Sequence, residues 1–318
     1  MMREPSVTVV VPTYNEQQHL RLTLQSIDVQ TYPNIVEILV ADGGSTDATR
    51  KIAGEFELVR IIDNPDRIQS AGLNRALAAA RGEVIVRVDG HCILGQDYVE
   101  ACVAALNATG AAMVGGGMSP RSSTSRSPIT QRAIASAMGS RIGAGPARFH
   151  VSSTAGWVDT VYLGAYRAAD ARAVGGYAGE MAVNEDAEFA IRMRPRGGIW
   201  FDPRIRSTYT PRSTFPSLAR QFYRYGQGRA VTALRHPRHV RPRQLVAPAL
   251  VLGLLTRRRR AVATAYASLV LARAAYEFTR DPEGAPALAV ALPVMHLSWG
   301  VGFLRGLLTA QPAPGSRR

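Results

Sequence analysis

The sequence has 318 residues, of which 46% are hydrophobic and 19% charged, with only two cysteines. A chain of this length and composition can bury a core without disulfide staples, which excludes a small disulfide scaffold and a disordered tail. The formal net charge is +14, and residues 231–318 hold +10 of it, with 13 arginines and three acidic residues. These arginines interrupt apolar runs, a pattern that favours a membrane and not nucleic acid as the partner.

Residues 1–100 predict a regular alternation of strands and helices. The predicted strands are residues 7–11, 35–41, 58–62 and 84–88, which are rich in β-branched and aliphatic side chains. Helices are predicted from about residue 17 and over residues 69–80, where apolar side chains recur at helical spacing. The resulting βαβαβαβ order predicts an α/β fold with a doubly wound, mostly parallel sheet.

Polar and acidic residues follow several of these strands. Glu16, Asp42 and Asp89 each come directly after a predicted strand. Ligands of open parallel sheets bind beyond the carboxyl ends of the strands, so we expect these side chains to lie at one edge. Three carboxylates at one edge repel each other, which favours a cation or an oriented polar ligand there. Taken singly, Asp42 and Asp89 are equally compatible with turn or capping roles.

Two common nucleotide-binding motifs are absent from the sequence. No G-x-G-x-x-G follows the first predicted strand, and no G-x-x-x-x-G-K-[ST] occurs anywhere. Their absence argues against a dinucleotide dehydrogenase and a P-loop NTPase. Any nucleotide is therefore expected to be held by carboxylates and a metal ion.

Four motifs in series resemble the signature of family 2 glycosyltransferases. They lie at residues 10–16, 41–47, 88–91 and 184–186. Further similarity to the succinoglycan-biosynthesis type lies at residues 200–203, 221–226 and 295–300. The resemblance spans nearly the whole chain. It implies a GT-A fold, with residues 1–230 as catalytic domain, and inverting transfer of a sugar from a nucleotide-diphosphate sugar such as a UDP-sugar.

The resemblance also implies roles for individual residues. Pro12, Tyr14 and Glu16 are expected to frame the nucleotide pocket, and Asp42 to contact the base or ribose. Asp89 is expected to contact the diphosphate or its metal ion. Asp186 is expected to act as the catalytic base.

Glu185, the neighbour of Asp186, points about 100° away from it on a helix, which fits a supporting role. In this sequence His91 replaces the last carboxylate of the usual Asp-x-Asp motif. Imidazole suits manganese better than magnesium, so we expect a divalent ion at Asp89 and His91, with manganese favoured over magnesium. The alternative is that His91 only forms a hydrogen bond within its loop.

Four more residues are candidates for contacts with the acceptor or the diphosphate. Gln221, Arg224 and Tyr225 resemble the Q-x-x-R-W element of related membrane-bound synthases, although an ordinary amphipathic helix explains their spacing equally well. Trp157 is a candidate acceptor contact because indole rings pack on sugars, with core packing as the alternative. The polar residues 119–130 predict a mobile loop.

Residues 231–318 predict a basic, apolar and helical membrane-associated tail. Residues 244–256 are uncharged but too short to cross a bilayer, whereas the uncharged residues 284–304 are long enough. Residues 261–278 would cross only with Arg273 paired or snorkelling. The candidates are therefore a two-span hairpin, helices that lie on one leaflet, and a soluble helical subdomain.

The hairpin would leave the arginines at residues 257–260, together with Arg317 and Arg318, on the cytoplasmic side. The apolar run at residues 7–11 is shorter than a secretory signal, so we expect the protein at the cytoplasmic face of the cell membrane. The acceptor is then expected to be a glycan, carried on a polyprenyl diphosphate, in exopolysaccharide or envelope-glycan synthesis. The alternatives are a sugar nucleotidyltransferase and a non-catalytic sugar-nucleotide-binding scaffold.

Overall fold

The computed structural model describes residues 4–120, 128–143, 145 and 153–309. Most of the predicted mobile loop, and both Arg317 and Arg318, therefore lie outside the described residues. Two compact units divide the described chain, the first built from residues 4–119 and 153–210 and the second from residues 128–143 and 211–309. The predicted boundary at residue 230 falls inside a helix of the second unit, and the division of functions between the two parts stays a prediction.

The first unit is built on one sheet with a parallel half and an antiparallel half. β1 (Val7–Thr13) pairs in parallel with β2 (Ile35–Asp42) and β4 (Val84–Arg87), and β3 (Val59–Asp63) pairs in parallel with β2. The other strands are β5 (Cys92–Leu94), β6 (Met113–Pro120), β7 (Gly156–Trp157), β8 (Tyr162–Arg167) and β9 (Ile199–Tyr209). The order of all the strands across the sheet is β3-β2-β1-β4-β8-β6-β9-β5, with β7 beside β9. The antiparallel half begins where β8 pairs with β4.

Helices cover both faces of this sheet, because successive side chains of a strand point to opposite faces. Val7, Val9 and Val11 pack with α1 (Leu20–Asp28), α2 (Thr49–Ala53) and α4 (Tyr98–Thr109) in one buried cluster. Val10 packs on the other face with α3 (Gln69–Ala79), α6 (Ala168–Ala173) and α7 (Glu185–Met193). The predicted α/β fold is therefore confirmed.

Both cysteines belong to the first of these clusters. Cys92 and Cys102 are buried and form no disulfide. Burial raises the pKa of the Cys92 thiol to about 12 and that of Cys102 still further from its usual value. The two side chains act as small apolar core residues.

The second unit is helical. Its helices are α5 (Ile129–Met138), α8 (Phe215–Arg235), α9 (Val246–Leu254), α10 (Arg259–Phe278) and α11 (Gly284–Thr309). Short 3-10 turns lie at Pro237–His239 and Pro242–Leu245, and a third, Arg194–Arg196, follows α7 in the first unit. Among the described residues, α11 is the one helix long and apolar enough to cross a membrane by length and composition. The two-span hairpin therefore stays a prediction.

Two adjacent glycines of β6 differ in the space around them and provide a test of the packing between strands. A Cβ atom at Gly116 would collide with the backbone carbonyl oxygen of Ile205 in β9, whereas one at Gly117 would meet nothing within 4 Å. We expect Gly116→Ala to lower the free energy of unfolding by about 1–3 kcal/mol, as overpacking does, and Gly117→Ala to change it by less than about 1 kcal/mol. Urea titrations of the two variants measure this difference, and equal transition midpoints would contradict it.

Candidate active site

The three acidic strand ends predicted from the sequence lie along one edge of the sheet. Thr13 at the end of β1 pairs with Asp42 at the end of β2. A Cβ atom on Gly90, which follows β4, would lie 3.1 Å from Cγ of Glu16 and 3.3 Å from Cγ2 of Thr13. The motifs at residues 10–16, 41–47 and 88–91 are therefore in contact with each other.

Asp42 is buried in the turn that follows β2. Its Oδ1 accepts a hydrogen bond of 2.5 Å from the Ser45 hydroxyl, and its Oδ2 accepts bonds from the Gly44 and Ser45 amides and from Nη1 of Arg50. Burial alone would raise the pKa of Asp42, but the bonds from Ser45 and Arg50 lower it below its usual value. This geometry fits the alternative role of a turn residue, and the contact with a nucleotide stays a prediction.

The loop after β1 is tied to the loop after β2 by several hydrogen bonds. The Asn15 amide donates to the Ser45 hydroxyl, Oδ1 of Asn15 accepts from the Thr46 amide, and the Glu16 amide donates to the Thr49 hydroxyl. The ring of Tyr14 between them is 51% exposed. Pro12, paired with Ala41, precedes this loop in β1. These bonds hold the loop in place while the ring of Tyr14 faces solvent, and the role of Pro12, Tyr14 and Glu16 in a nucleotide pocket stays a prediction.

A buried arginine links two of the predicted motifs. Nη2 of Arg87 lies 3.2 Å from Oδ1 of Asp89 and 3.1 Å from Oε1 of Glu185. Arg87 is 5% exposed, and its Nη1 has no hydrogen-bond partner among the described residues. Burial would lower the pKa of the guanidinium, but Asp89 and Glu185 raise it well above its usual value, so the group stays charged.

Arg87 was not among the site residues predicted from the sequence. The available signal was a single charge inside the otherwise aliphatic residues 84–88, because a charge in a buried strand requires a charged partner. The partners are supplied from two separate motifs, and only the folded chain brings them together.

Glu185 and Asp186 open α7, whose N-terminus favours negative charge. Glu185 is 4% exposed, whereas Asp186 is partly exposed and its Oδ1 accepts a hydrogen bond from the Ala187 amide. Burial raises the pKa of Glu185 to about 7; Arg87 opposes this rise and the charges of Asp186 and Asp89 add to it. One guanidinium thus pairs with two carboxylates, and the raised pKa lets Glu185 retain a proton close to neutral pH. The accessible Asp186 and the buried Glu185 match the predicted base and its supporting residue, roles that stay predictions.

The residues expected to bind a metal ion offer few ligands. Nδ1 of His91 lies 3.1 Å from Oε1 of Glu16, which is the hydrogen bond of the alternative interpretation. Oδ1 of Asp89 accepts bonds from Gln69 and Arg87, while its Oδ2 accepts none among the described residues. No group of three or more His, Cys, Asp and Glu side chains in the described chain is placed to hold a metal. A carboxylate and an imidazole fit an ion that takes its other ligands from substrate phosphates and water.

Trp157 lies at the surface of the first unit. Its side chain is 55% exposed and meets Trp200 edge to face, with ring centroids 5.1 Å apart. The core-packing interpretation is therefore wrong. Trp200 also lines a groove of about 350 Å³ together with Ala105 and Pro203. Contact between Trp157 and an acceptor sugar stays a prediction.

The three residues of the predicted acceptor element lie on α8 in the second unit. Nε2 of Gln221 donates a 2.9 Å hydrogen bond to the Tyr225 hydroxyl. Arg224 is exposed, and Tyr225 is 41% exposed. Leu218 and Phe222 are buried, so α8 is an amphipathic helix; Arg224 and Tyr225 are exposed on it, whereas Gln221 is partly buried. Their role toward a substrate stays a prediction.

A mixed, partly parallel sheet with carboxylates at its strand ends is the architecture expected for a GT-A fold, the class that the motifs predict. The chain belongs to glycosyltransferase family 2, because the family model "Glycosyl transferase family 2" matches residues 8–168. The succinoglycan biosynthesis protein ExoA of Rhizobium meliloti (strain 1021) is 34% identical over 95% of both chains. Glycosyltransferase AglE of Haloferax volcanii is 33% identical over 35% of this chain and 39% of its own. The predicted family is confirmed, and glycosyltransferase activity replaces the nucleotidyltransferase alternative.

Solved structures show the same fold. The mannosyltransferase PcManGT from Pyrobaculum calidifontis, in complex with GDP-Man and Mn2+, aligns with a TM-score of 0.66 at 19% identity, covering 98% of this chain and 89% of that one. Residues 1–349 of S. aureus TarS, in complex with UDP, align with a TM-score of 0.53 at 17% identity, covering 95% and 92%. These likenesses confirm the predicted GT-A architecture.

The first prediction for the site concerns the buried arginine. Arg87→Met removes the cation shared by the buried Glu185 and by Asp89, whose side chain is 17% exposed, so we expect it to lower the free energy of unfolding by about 1–3 kcal/mol. As a control, Arg75→Met removes an exposed ion pair with Asp66 and is expected to cost less than about 1 kcal/mol. Urea unfolding followed by circular dichroism measures both values. A similar cost for the two variants would show that Arg87 does not hold the cluster together.

The second prediction concerns pH. The folded chain holds a proton on Glu185 up to about pH 7, whereas the unfolded chain releases it near 4.5, the ordinary pKa of a glutamate side chain. Stability from this group is therefore present at low pH and is lost as pH rises through this window. We expect Glu185→Gln to remove that loss, so the free energy of unfolding of the variant increases relative to that of the wild type as pH rises from about 5 to about 7. Denaturant midpoints of both proteins across this range test it, and a constant difference would refute the shifted pKa.

Proposed function

We propose that this protein is an inverting hexosyltransferase that moves a sugar from a nucleotide-diphosphate sugar, in the first instance a UDP-sugar, to a glycan acceptor. The observation that supports this proposal is the position of Asp186. Its carboxylate is accessible in the first turn of α7, directly beside the Arg87 cluster that gathers Asp89 and Glu185. A general base and the region proposed to bind the diphosphate are thereby joined through one buried cation.

In the proposed reaction Asp186 accepts the proton of the acceptor hydroxyl. The hydroxyl oxygen forms a bond to the anomeric carbon while the bond between that carbon and the diphosphate oxygen breaks. The electron pair leaves with the nucleoside diphosphate, and the proton remains on Asp186. General-base assistance of this kind typically contributes about 10²–10⁴-fold to the rate.

The other residues of the cluster prepare Asp186 for this role. Glu185 holds a proton near neutral pH, and this removes a negative charge next to the base. Arg87 keeps its charge and fixes Asp89 and Glu185 in place. Asp89 and His91 would hold a divalent ion, manganese in preference to magnesium, which when bound offsets the negative charge of the leaving diphosphate.

Burial of Glu185 supports the inverting course. A double displacement with retention requires a second, accessible nucleophile beside the base. Glu185 is 4% exposed and paired with Arg87, so it does not reach a substrate. A single displacement assisted by Asp186 inverts the anomeric configuration.

We propose further that the acceptor is a glycan carried on a polyprenyl diphosphate, and that the enzyme acts at the cytoplasmic face of the cell membrane in exopolysaccharide synthesis. Similarity to ExoA over 95% of the chain supports the pathway. The exposed apolar side chains of α9 and α10 support the membrane location, where a lipid-linked acceptor resides.

Two measurements on purified protein test the proposed chemistry. Nucleotide sugars are screened with manganese and with magnesium for release of nucleoside diphosphate, and donor affinity is measured separately by calorimetry. We expect Asp186→Asn to keep donor affinity within a few-fold and to lower turnover by about 10²–10⁴-fold. Asp66→Asn, an equivalent change at an exposed site, serves as the control and is expected to keep both values.

Near-wild-type turnover in Asp186→Asn would remove the residue from the base position. Release of nucleoside diphosphate from none of the donors, with binding intact, would favour the non-catalytic scaffold. Partition of a labelled product into organic solvent is the result expected for a lipid-linked acceptor. Label found only in water-soluble material would contradict it.

A further inference from the structure

α11 is the longest apolar helix among the described residues, and one side of it is buried in the second unit. Ten residues of α11 are buried, and its C-terminal half lies against α8 through glycines. Gly302 lies against the backbone of Tyr223, and Gly306 against that of Gln227. Gly226 of α8 in turn lies against the backbone of Trp299. The two helix backbones therefore touch over two turns, and neither helix can change its environment without the other.

The partner helix α8 carries charge along its length. Its arginines are Arg220, Arg224, Arg229 and Arg235. If α11 crossed a bilayer, α8 would be carried into the hydrocarbon beside it, with arginines that are among the costliest residues to place there. Packing against α8 thus accounts for the buried side of α11, and crossing would bring the arginines of α8 into hydrocarbon.

Polar contacts also hold the N-terminal end of α11 and helix α10 within the second unit. Arg132 of α5 pairs with Asp281 and with Glu283, both of which lie just before α11. Arg273 of α10 pairs with Glu277 and donates a 3.0 Å hydrogen bond to the Ser136 hydroxyl of α5. These polar contacts tie α10 and the chain just before α11 to α5, and a separate hairpin would have to give up the contacts made with α5.

An apolar surface nevertheless remains uncovered within the described part of the unit. α9 buries one residue there, Pro248, and α10 buries one, Val270. The large apolar side chains around α9 that remain exposed are Leu245, Val246, Leu252 and Leu255, at 46–79%. Those of α10 are Leu269, Leu271, Tyr276 and Phe278, at 48–62%. Exposed apolar surface of this extent marks an interaction site.

The charge beside this surface identifies the partner. Four exposed arginines, residues 257–260, lie in the turn between α9 and α10 and at the start of α10, and we call them the basic turn. α9 is about 14 Å long, so it cannot carry the basic turn across a hydrocarbon core of about 30 Å. Arginines that flank exposed apolar helices are attracted to anionic headgroups while the apolar side chains enter the interface.

We propose that the second unit binds one leaflet of an anionic bilayer in plane, through the outer sides of α9 and α10 and the basic turn, and that α11 does not cross. The proposal specifies the membrane contact of the location proposed above and does not depend on sugar transfer. It predicts attachment by two signals, apolar insertion and headgroup attraction, neither of which suffices alone.

Vesicle flotation of the full chain tests both signals. Vesicles of phosphatidylcholine are compared with vesicles in which part of it is replaced by phosphatidylglycerol. We expect binding to the anionic vesicles to fall by about tenfold or more in Arg258→Gln/Arg260→Gln and to be lost in Leu252→Asp/Leu255→Asp. The matched controls Arg21→Gln/Arg75→Gln and Leu22→Asp, at exposed sites of the first unit, are expected to bind as the wild type does.

Crossing is tested separately by labelling with a membrane-impermeant maleimide after the protein is added to preformed vesicles. Glu283→Cys and Leu308→Cys, at exposed sites near the two ends of α11, are both expected to react. Protection of one end alone would show that α11 crosses and would overturn the proposal. Equal binding of all variants, or no binding of the wild type to either vesicle, would overturn it as well.

Nucleoside diphosphate release by the same proteins separates this proposal from the proposed function. Vesicle binding without sugar transfer would contradict the enzymatic proposal alone. Transfer to a soluble acceptor without vesicle binding would contradict the membrane proposal alone.

Discussion

The first unit depends on one buried cation. Arg87 lies in a strand of the parallel half of the sheet and pairs with Asp89 in the following loop and with Glu185 at the start of α7. A buried guanidinium is stable only while its carboxylates are present, and these carboxylates are close together only while the guanidinium separates them. The same ion pairs therefore hold two distant motifs together and set the charge around Asp186.

This arrangement explains the division of labour between two adjacent acids. Glu185 is taken out of solvent and keeps a proton near neutral pH, while Asp186, one residue later, stays accessible at a helix N-terminus. Environment, not side-chain chemistry, separates the two roles. In the second unit, glycines play the corresponding structural part, because they let α8 and α11 approach until their backbones touch.

The parallel half of the fold was predictable from the sequence because each strand is a β-branched or aliphatic run followed by polar residues. The antiparallel half was not, since β5 has three residues and β6 contains three consecutive glycines, which are unusual in strands. Asp89 and Asp186 were predicted as site residues from their motifs, and their roles stay predictions, whereas Arg87 was not predicted because its partners Asp89 and Glu185 are nearly 100 residues apart in the sequence. The tail was assigned to a membrane from composition, but hydropathy alone does not reveal that one side of α11 packs against α8.

The burial of Cys92 and Cys102 has a practical consequence. A maleimide reacts with the thiolate, and both thiols are enclosed in the core with pKa values far above the working pH of that reagent. The natural cysteines of the folded chain are therefore silent toward such reagents. A thiol introduced anywhere on the surface can be read against a blank background without first removing either of them.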